Sequence, residues 1–161
     1  MTDDWNSIDD DADEAVPAAS TSPLARARDQ RKQALAKGLY LDLKIPRYDE
    51  TLVGRFKPVG NRVITAAHKR MEASKDPDRE AIANAAIMSH GVVGFFDPEH
   101  PDKIADVSEV RDMLDLPADA TAIDILRALF YTDGDLIAVA GKLAEWSGFS
   151  EQAAEEYQQG N

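Results

Sequence analysis

YLDLKIPRYDETLVGRFKPVGNRVITAAHKRM, residues 40–71, changes its hydrophobic period at Gly60, and that change decides the fold. Ahead of it, Leu41, Leu43 and Ile45 alternate with Asp42 and Lys44, the pattern of a half-buried strand. Pro46 and a polar turn from Arg47 to Thr51 follow, and Leu52, Val53, Phe56 and Val59 then read as a returning strand. Residues 39–59 are thus expected to form a β-hairpin. Beyond Gly60, Val63, Ala66, Ala67 and Met71 share one helical face, while Arg62, Lys69, Arg70 and Glu72 take the other.

Working outward, the helical period persists to the far end of the chain. Pro77 stops the first helix and Asp78 can cap a second, in which Ile82, Ala85, Ala86, Ser89 and Val93 repeat at helical spacing. That helix is poor in charge and is expected at the centre of the core. Residues 94–101, GFFDPEHP, are expected as a loop, because two prolines cannot continue a helix. Ser108 heads a short helix through Leu116, and Thr121 caps another from Ala122 to Tyr131. Asp133-Gly134 reads as a tight break, followed by a last helix from Asp135 to Trp146 that closes at Gly148.

On the other side of the hairpin, residues 23–38 read as a basic helix or linker ending at Gly38, with an apolar face so thin that it orders on a partner. Residues 1–22 carry too little hydrophobic surface to offset chain entropy and read as a disordered acidic tail. Residues 150–161 read as a flexible acidic tail. The expected fold is mainly α: one compact domain of about five helices over residues 39–149, with the short hairpin at its N-terminal side.

Composition narrows the function classes. The chain has 161 residues, a net charge of -12 and no cysteine, so disulfides and thiolate metal sites are ruled out and a cytosolic setting fits best. The acidic start is unlike a basic, apolar secretory signal, and nothing approaches the ~20 apolar residues of a membrane span. Charge is unevenly placed. Residues 1–22 hold seven acids and no base, residues 23–75 thirteen bases against five acids, and residues 76–161 five bases against eighteen acids. A basic middle between acidic flanks is expected to be neutralised by them rather than to seek nucleic acid.

Motifs for chemistry are weak. His68, His90 and His100 show no metal-ligand spacing even with Asp97, Glu99 and Asp102 in view, so no metal is assigned. Residues 54–62, GRFKPVGNR, have the glycines and bases of a phosphate cradle, but no Lys-Ser or Lys-Thr follows the second glycine. Asp133-Gly134-Asp135 lacks the ligand ladder of a calcium loop, and a helix cap at Asp133 or Asp135 accounts for it. Nucleophile motifs are absent; the expectation is a non-enzymatic protein without cofactor.

Candidates for binding are better. Phe130, Tyr131, Trp146 and Phe149 cluster near the last two helices, and aromatics are enriched at the energetic centres of interfaces. Phe130 and Trp146 fall on apolar faces that suit a core, whereas Tyr131 and Phe149 sit at helix ends and are freer to meet a partner. Arg26, Arg28, Arg31 and Lys32 are a second candidate surface, with a solvated helix face as the plainer reading.

Residues 41–49, LDLKIPRYD, and 53–59, VGRFKPV, resemble the opening of tail assembly chaperones from long-tailed phages of actinobacteria. Residues 128–137, ALFYTDGDLI, and 145–149, EWSGF, followed by an acidic tail, are similar to the second half of that family. The resemblance, spanning residues 41–155 in order, implies a protein of the host cytoplasm, absent from the mature virion. It would keep the tape measure protein soluble and recruit tail tube subunits, with neither cofactor nor catalytic residue. It also implies a longer frameshifted product extending past Asn161, and leaves self-association open. Two other classes remain: a structural virion or head-tail connector protein, and a small nucleic-acid-binding regulator using residues 26–37 and 55–70.

Overall fold

The structure, a computed structural model, describes residues 22–148. The expectations for the acidic segments 1–21 and 149–161, and for Phe149, lie outside those residues. The chain divides into two units, one ending at Leu39 and one beginning at Tyr40. In the first, Pro23–Lys37 form helix α1. Ser22, assigned from sequence to the acidic tail, instead caps this helix by accepting the Ala25 N–H at 3.2 Å, and Pro23 follows at the first helical position. Gly38 leaves α1 with a φ of 84°, a conformation that only glycine adopts cheaply.

The second unit is mainly helical around a small antiparallel sheet ordered β1-β2-β3: β1 Leu41–Lys44, β2 Val53–Phe56 and β3 Val92–Phe96. The expected hairpin is present, with Leu41 opposite Phe56 and Lys44 opposite Val53. The third strand overturns two expectations. Val93 does not extend the preceding helix, and Gly94 to Phe96 are not loop. Gly91 ends the helix, and the β-branched and aromatic run of Val92, Val93, Phe95 and Phe96 gains more by pairing with β2, where Val53 faces Phe96. Phe56 and Phe95 meet edge to face at 6.4 Å, and Gly54 leaves room for both rings. On the opposite face Arg55 holds Asp42 through two hydrogen bonds of 2.8 and 3.0 Å and lies 4.9 Å from the Phe96 ring.

Five helices complete this unit: α2 Asn61–Ala73, α3 Arg79–Gly91, α4 Val107–Met113, α5 Ala122–Leu129 and α6 Asp133–Trp146. Their N-termini follow capping chemistry, sometimes at residues other than those expected. Asp106, not Ser108, caps α4, because its carboxylate accepts the Glu109 N–H at 2.9 Å. Thr121 caps α5 in a reciprocal box with Asp124, at 3.2 and 3.1 Å. That helix ends at Leu129, since Phe130 is already extended. Thr132 caps α6 by accepting the Asp135 N–H at 3.1 Å, so Asp133 and Gly134 form its first turn rather than a break or a cap. Asp78 precedes α3 without a side-chain capping bond and reaches Arg127 at 3.4 Å.

Helix α3 is the central element, as expected from its low charge. Ala81, Ala85, Ile87 and Met88 are buried, and α2, α5 and α6 pack around it. Phe56, Ile64, Val110, Leu126, Leu136 and Leu143 fill the rest of the core, each such side chain stabilising the fold by about 1.5–3 kcal/mol. The buried residues of α2 are Ala67, from the expected face, and Ile64, which that face omitted; Val63 and Met71 pack against the core and Ala66 is exposed. Among the described residues, no helix is long and apolar enough to cross a membrane.

Candidate functional site

A groove of about 470 Å³ runs between α2 and α3. The two helices form an antiparallel pair joined by Ser74–Asp78, and their facing residues are small where they cross. Ala66 and Ala67 on α2 stand opposite Ala83 and Ala86 on α3, leaving a trough instead of interlocked side chains. Val63 and Met71 from α2, Ile82 from α3 and Ile123 from the first turn of α5 form its apolar walls.

Its rim is cationic. Arg62, Arg70 and Arg79 border the groove together with His90, and no acid lines it. Elsewhere in this acid-rich unit each arginine has a carboxylate. Arg47 reaches Asp135 at 2.7 Å, Arg55 reaches Asp42 at 2.8 Å, Arg111 reaches Asp112 at 3.1 Å, and Arg127 lies 3.2 Å from Asp133. Among the described residues Arg62, Arg70 and Arg79 have no carboxylate partner, and all three are on the groove. Arg79 only reaches back to the Asp76 carbonyl, at 3.4 Å. An apolar trough with unneutralised cations along its edges is complementary to an amphipathic helix whose polar flanks are acidic.

The residues singled out from sequence are distributed differently. Phe130 is buried in the core, and Trp146 is half-buried against it. Tyr131 is exposed, and its ring meets Tyr48 edge to face at 5.1 Å. Arg26, Arg28, Arg31 and Lys32 are all exposed on α1; Arg28, Arg31 and Lys32 fall within about 100° of helix surface, with Arg26 on the opposite side. None of these residues borders the groove. The groove residues were visible in the sequence as the two faces of α2 and, for Ile82 and Ala86, as the helical repeat of α3. The signal that marks the trough is the alanine spacing at 66, 67, 83 and 86 with arginine at 62, 70 and 79, and it requires knowing that these helices pair.

The other motifs have structural roles. Asp133 and Asp135 hold Arg127 and Arg47, and Gly54 lies inside β2. His68 is on α2, His90 near the end of α3 and His100 in the turn after β3; among the described residues no three of His, Cys, Asp and Glu are grouped to hold a metal. No protein-family model, curated protein or solved structure matches the chain.

Proposed function

We propose that this chain is a non-catalytic binding protein, a tail assembly chaperone of a long-tailed phage. Its α2–α3 groove receives an amphipathic helical segment of its client, the tape measure protein, and tail tube subunits are its second partner. The observation that carries the reading is that the three arginines of the second unit without a carboxylate partner among the described residues all border one apolar trough. A bound acidic helix would bury the trough and neutralise its rim, while the net charge of -12 keeps the complex dispersed. The ordered resemblance over residues 41–155 supports this choice of client and, with it, work in the host cytoplasm before the tail is complete.

The test is co-expression with the candidate tape measure protein from the same genome, reading soluble yield and co-purification. The expected outcome is a several-fold rise in soluble client with wild-type chain. The Arg62→Glu/Arg70→Glu variant should lose at least tenfold in client affinity while its unfolding free energy stays within about 0.5 kcal/mol of wild type, since both side chains are exposed and without a carboxylate partner among the described residues. A client that stays insoluble, with this chain stoichiometric in purified particles, would replace the reading by that of a structural virion protein.

A further inference from the structure

The two edges of the sheet are treated differently by the fold. At the end of β1 the Ile45 N–H donates to the Leu52 carbonyl at 3.0 Å, which makes Ile45 and Leu52 a hydrogen-bonded pair. Such pairs alternate along an antiparallel ladder, so Leu43 with Gly54 and Leu41 with Phe56 are the next ones. Asp42 and Lys44 fall between them, and their backbone N–H and C=O groups point away from β2. The far side of the sheet obeys the same parity. Gly54 directs its groups to Leu43, so Phe95 opposite it directs its own outward, where they exchange two hydrogen bonds of 2.8 Å with Ala105. The β3 edge is thereby covered, whereas among the described residues β1 has a strand on one side only.

An open strand edge is a template for another strand, and the side chains of β1 select which one. Asp42 and Lys44 are exposed on one face, while Leu41 and Leu43 pack against the core on the other and stay half-buried. An antiparallel copy of the same strand can be centred on Asp42, on Leu43 or on Lys44 and still match the outward groups. Centred on Asp42 it sets Asp42 against Asp42, and centred on Lys44 it sets Lys44 against Lys44. Centred on Leu43 it sets Asp42 of each copy against Lys44 of the other in hydrogen-bonded pairs, and the Leu43 side chains meet on the axis. Only that register joins opposite charges. The Lys44 ammonium, 2.8 Å from the Glu50 carboxylate in a solvent-exposed pair, can take a second carboxylate, and both oxygens of Asp42 retain acceptor capacity beyond their bonds to Arg55.

We propose that β1 is the contact of a two-fold dimer, in which the β1 strands of two copies pair antiparallel about Leu43 and join their sheets into one. The contact is isologous and uses the open edge of both copies, and the β3 edges are covered, so assembly stops at two. Pro46 has no N–H and ends the ladder beyond Ile45. A strand without the complementary order of charges meets an unmatched acid or base here, so the edge admits its own copy and rejects most others. A ladder this short gives a weak dimer, populated at about 0.1 mM chain. No groove residue takes part, and the inference stands apart from the client reading.

Sedimentation of the full-length chain at about 0.1 mM should give twice the monomer mass. Lys44→Glu and Asp42→Lys should each weaken dimerisation at least tenfold, because each places like charges opposite one another. An equimolar mixture of the two variants should restore the dimer, since every facing pair again joins an acid to a base. A wild-type chain that is monomeric at this concentration would overturn the proposal. So would a dimer that both variants leave unchanged, or a mixture that stays monomeric while both variants unfold at the wild-type urea midpoint. The absence of cysteine allows a second test that alters no charge. Under mild oxidation Leu43→Cys should crosslink to its own copy, since facing Cα atoms at such a position lie about 4.5 Å apart. Leu41→Cys, about 13 Å from its equivalent in this register, should crosslink at least tenfold more slowly. Equal rates would overturn the register and the proposal with it.

Discussion

Tyr48 ties the hairpin turn to the end of α5 with one side chain. Its hydroxyl donates to the Leu129 carbonyl, and its ring meets that of Tyr131. Burial first, and the neighbouring Tyr131 second, push its pKa above the ordinary 10.0. The fold thus favours the neutral phenol. Its contribution is complete below the unfolded tyrosine value and is lost as pH rises through the folded one. Tyr48→Phe should cost about 1 kcal/mol at about pH 7, the worth of one hydrogen bond. Urea midpoints above about pH 10 should fall less steeply for the variant than for wild type. At this scale the sequence was legible where a residue's role is local. Tyr131 was expected exposed at a helix end; it is exposed, but in the link between α5 and α6. Its contact with Tyr48 was not legible, because the residues are far apart in the chain and no period links them. Nor was the choice between Ile64 and its neighbours Val63 and Ala66, which are both apolar and divide a broad face that only the packing of α3 resolves.

The elements were legible in proportion to how far their own residues decide them. Thr121 was read correctly as a cap, and with Asp124 three residues later it forms a complete local box. Thr121→Ala should lower stability by about 1 kcal/mol, measured by thermal or urea unfolding. The Thr121 amide and hydroxyl hold the Asp124 carboxyl below its ordinary range. The gain from the charged form is present above that range and fades as pH falls through the folded value. The gap between wild type and variant should accordingly narrow below about pH 3. Thr132 was hidden because Asp133-Gly134 imitates a turn, although a Cβ at Gly134 would meet only Thr132 Oγ1, at an ordinary 3.8 Å, and the residue is helical. Strand β3 was hidden for a different reason: VVGFF is too short to show a period of its own, and its state is decided by β2, well upstream. Gly94 sits opposite Arg55 and so close to the next segment that an added Cβ would lie 2.4 Å from Ile104 Cγ2 and 2.5 Å from the Ala105 carbonyl oxygen. Gly94→Ala should therefore cost about 1–3 kcal/mol by pushing Ala105 off β3, and the amides of Phe95 and Ala105, bonded to each other's carbonyls at 2.8 Å, should lose hydrogen-exchange protection first.

Across the whole molecule, charge separates the binding classes. A duplex is held by many phosphate contacts, and here the three rim arginines and the exposed bases of α1 belong to a chain of net charge -12. Fluorescence anisotropy with double-stranded DNA at about 0.15 M salt should show no binding at micromolar protein, and a micromolar complex with a steep salt slope would restore the regulator class. The mainly helical class was legible from period alone. The candidate site was not, because a groove is a property of two helices and periodicity describes one at a time. The sheet has a consequence of its own during synthesis. β3 lies beyond α2 and α3, so a growing chain shows the hairpin with the inner edge of β2 unpaired until Val92 to Phe96 emerge. The 35 residues between Phe56 and Val92 take about 2–7 s to add at about 5–20 residues per second. For that interval the nascent strand carrying Phe56 is an open template for mispairing, so the step most exposed to error is the wait for a strand that the chain has yet to supply.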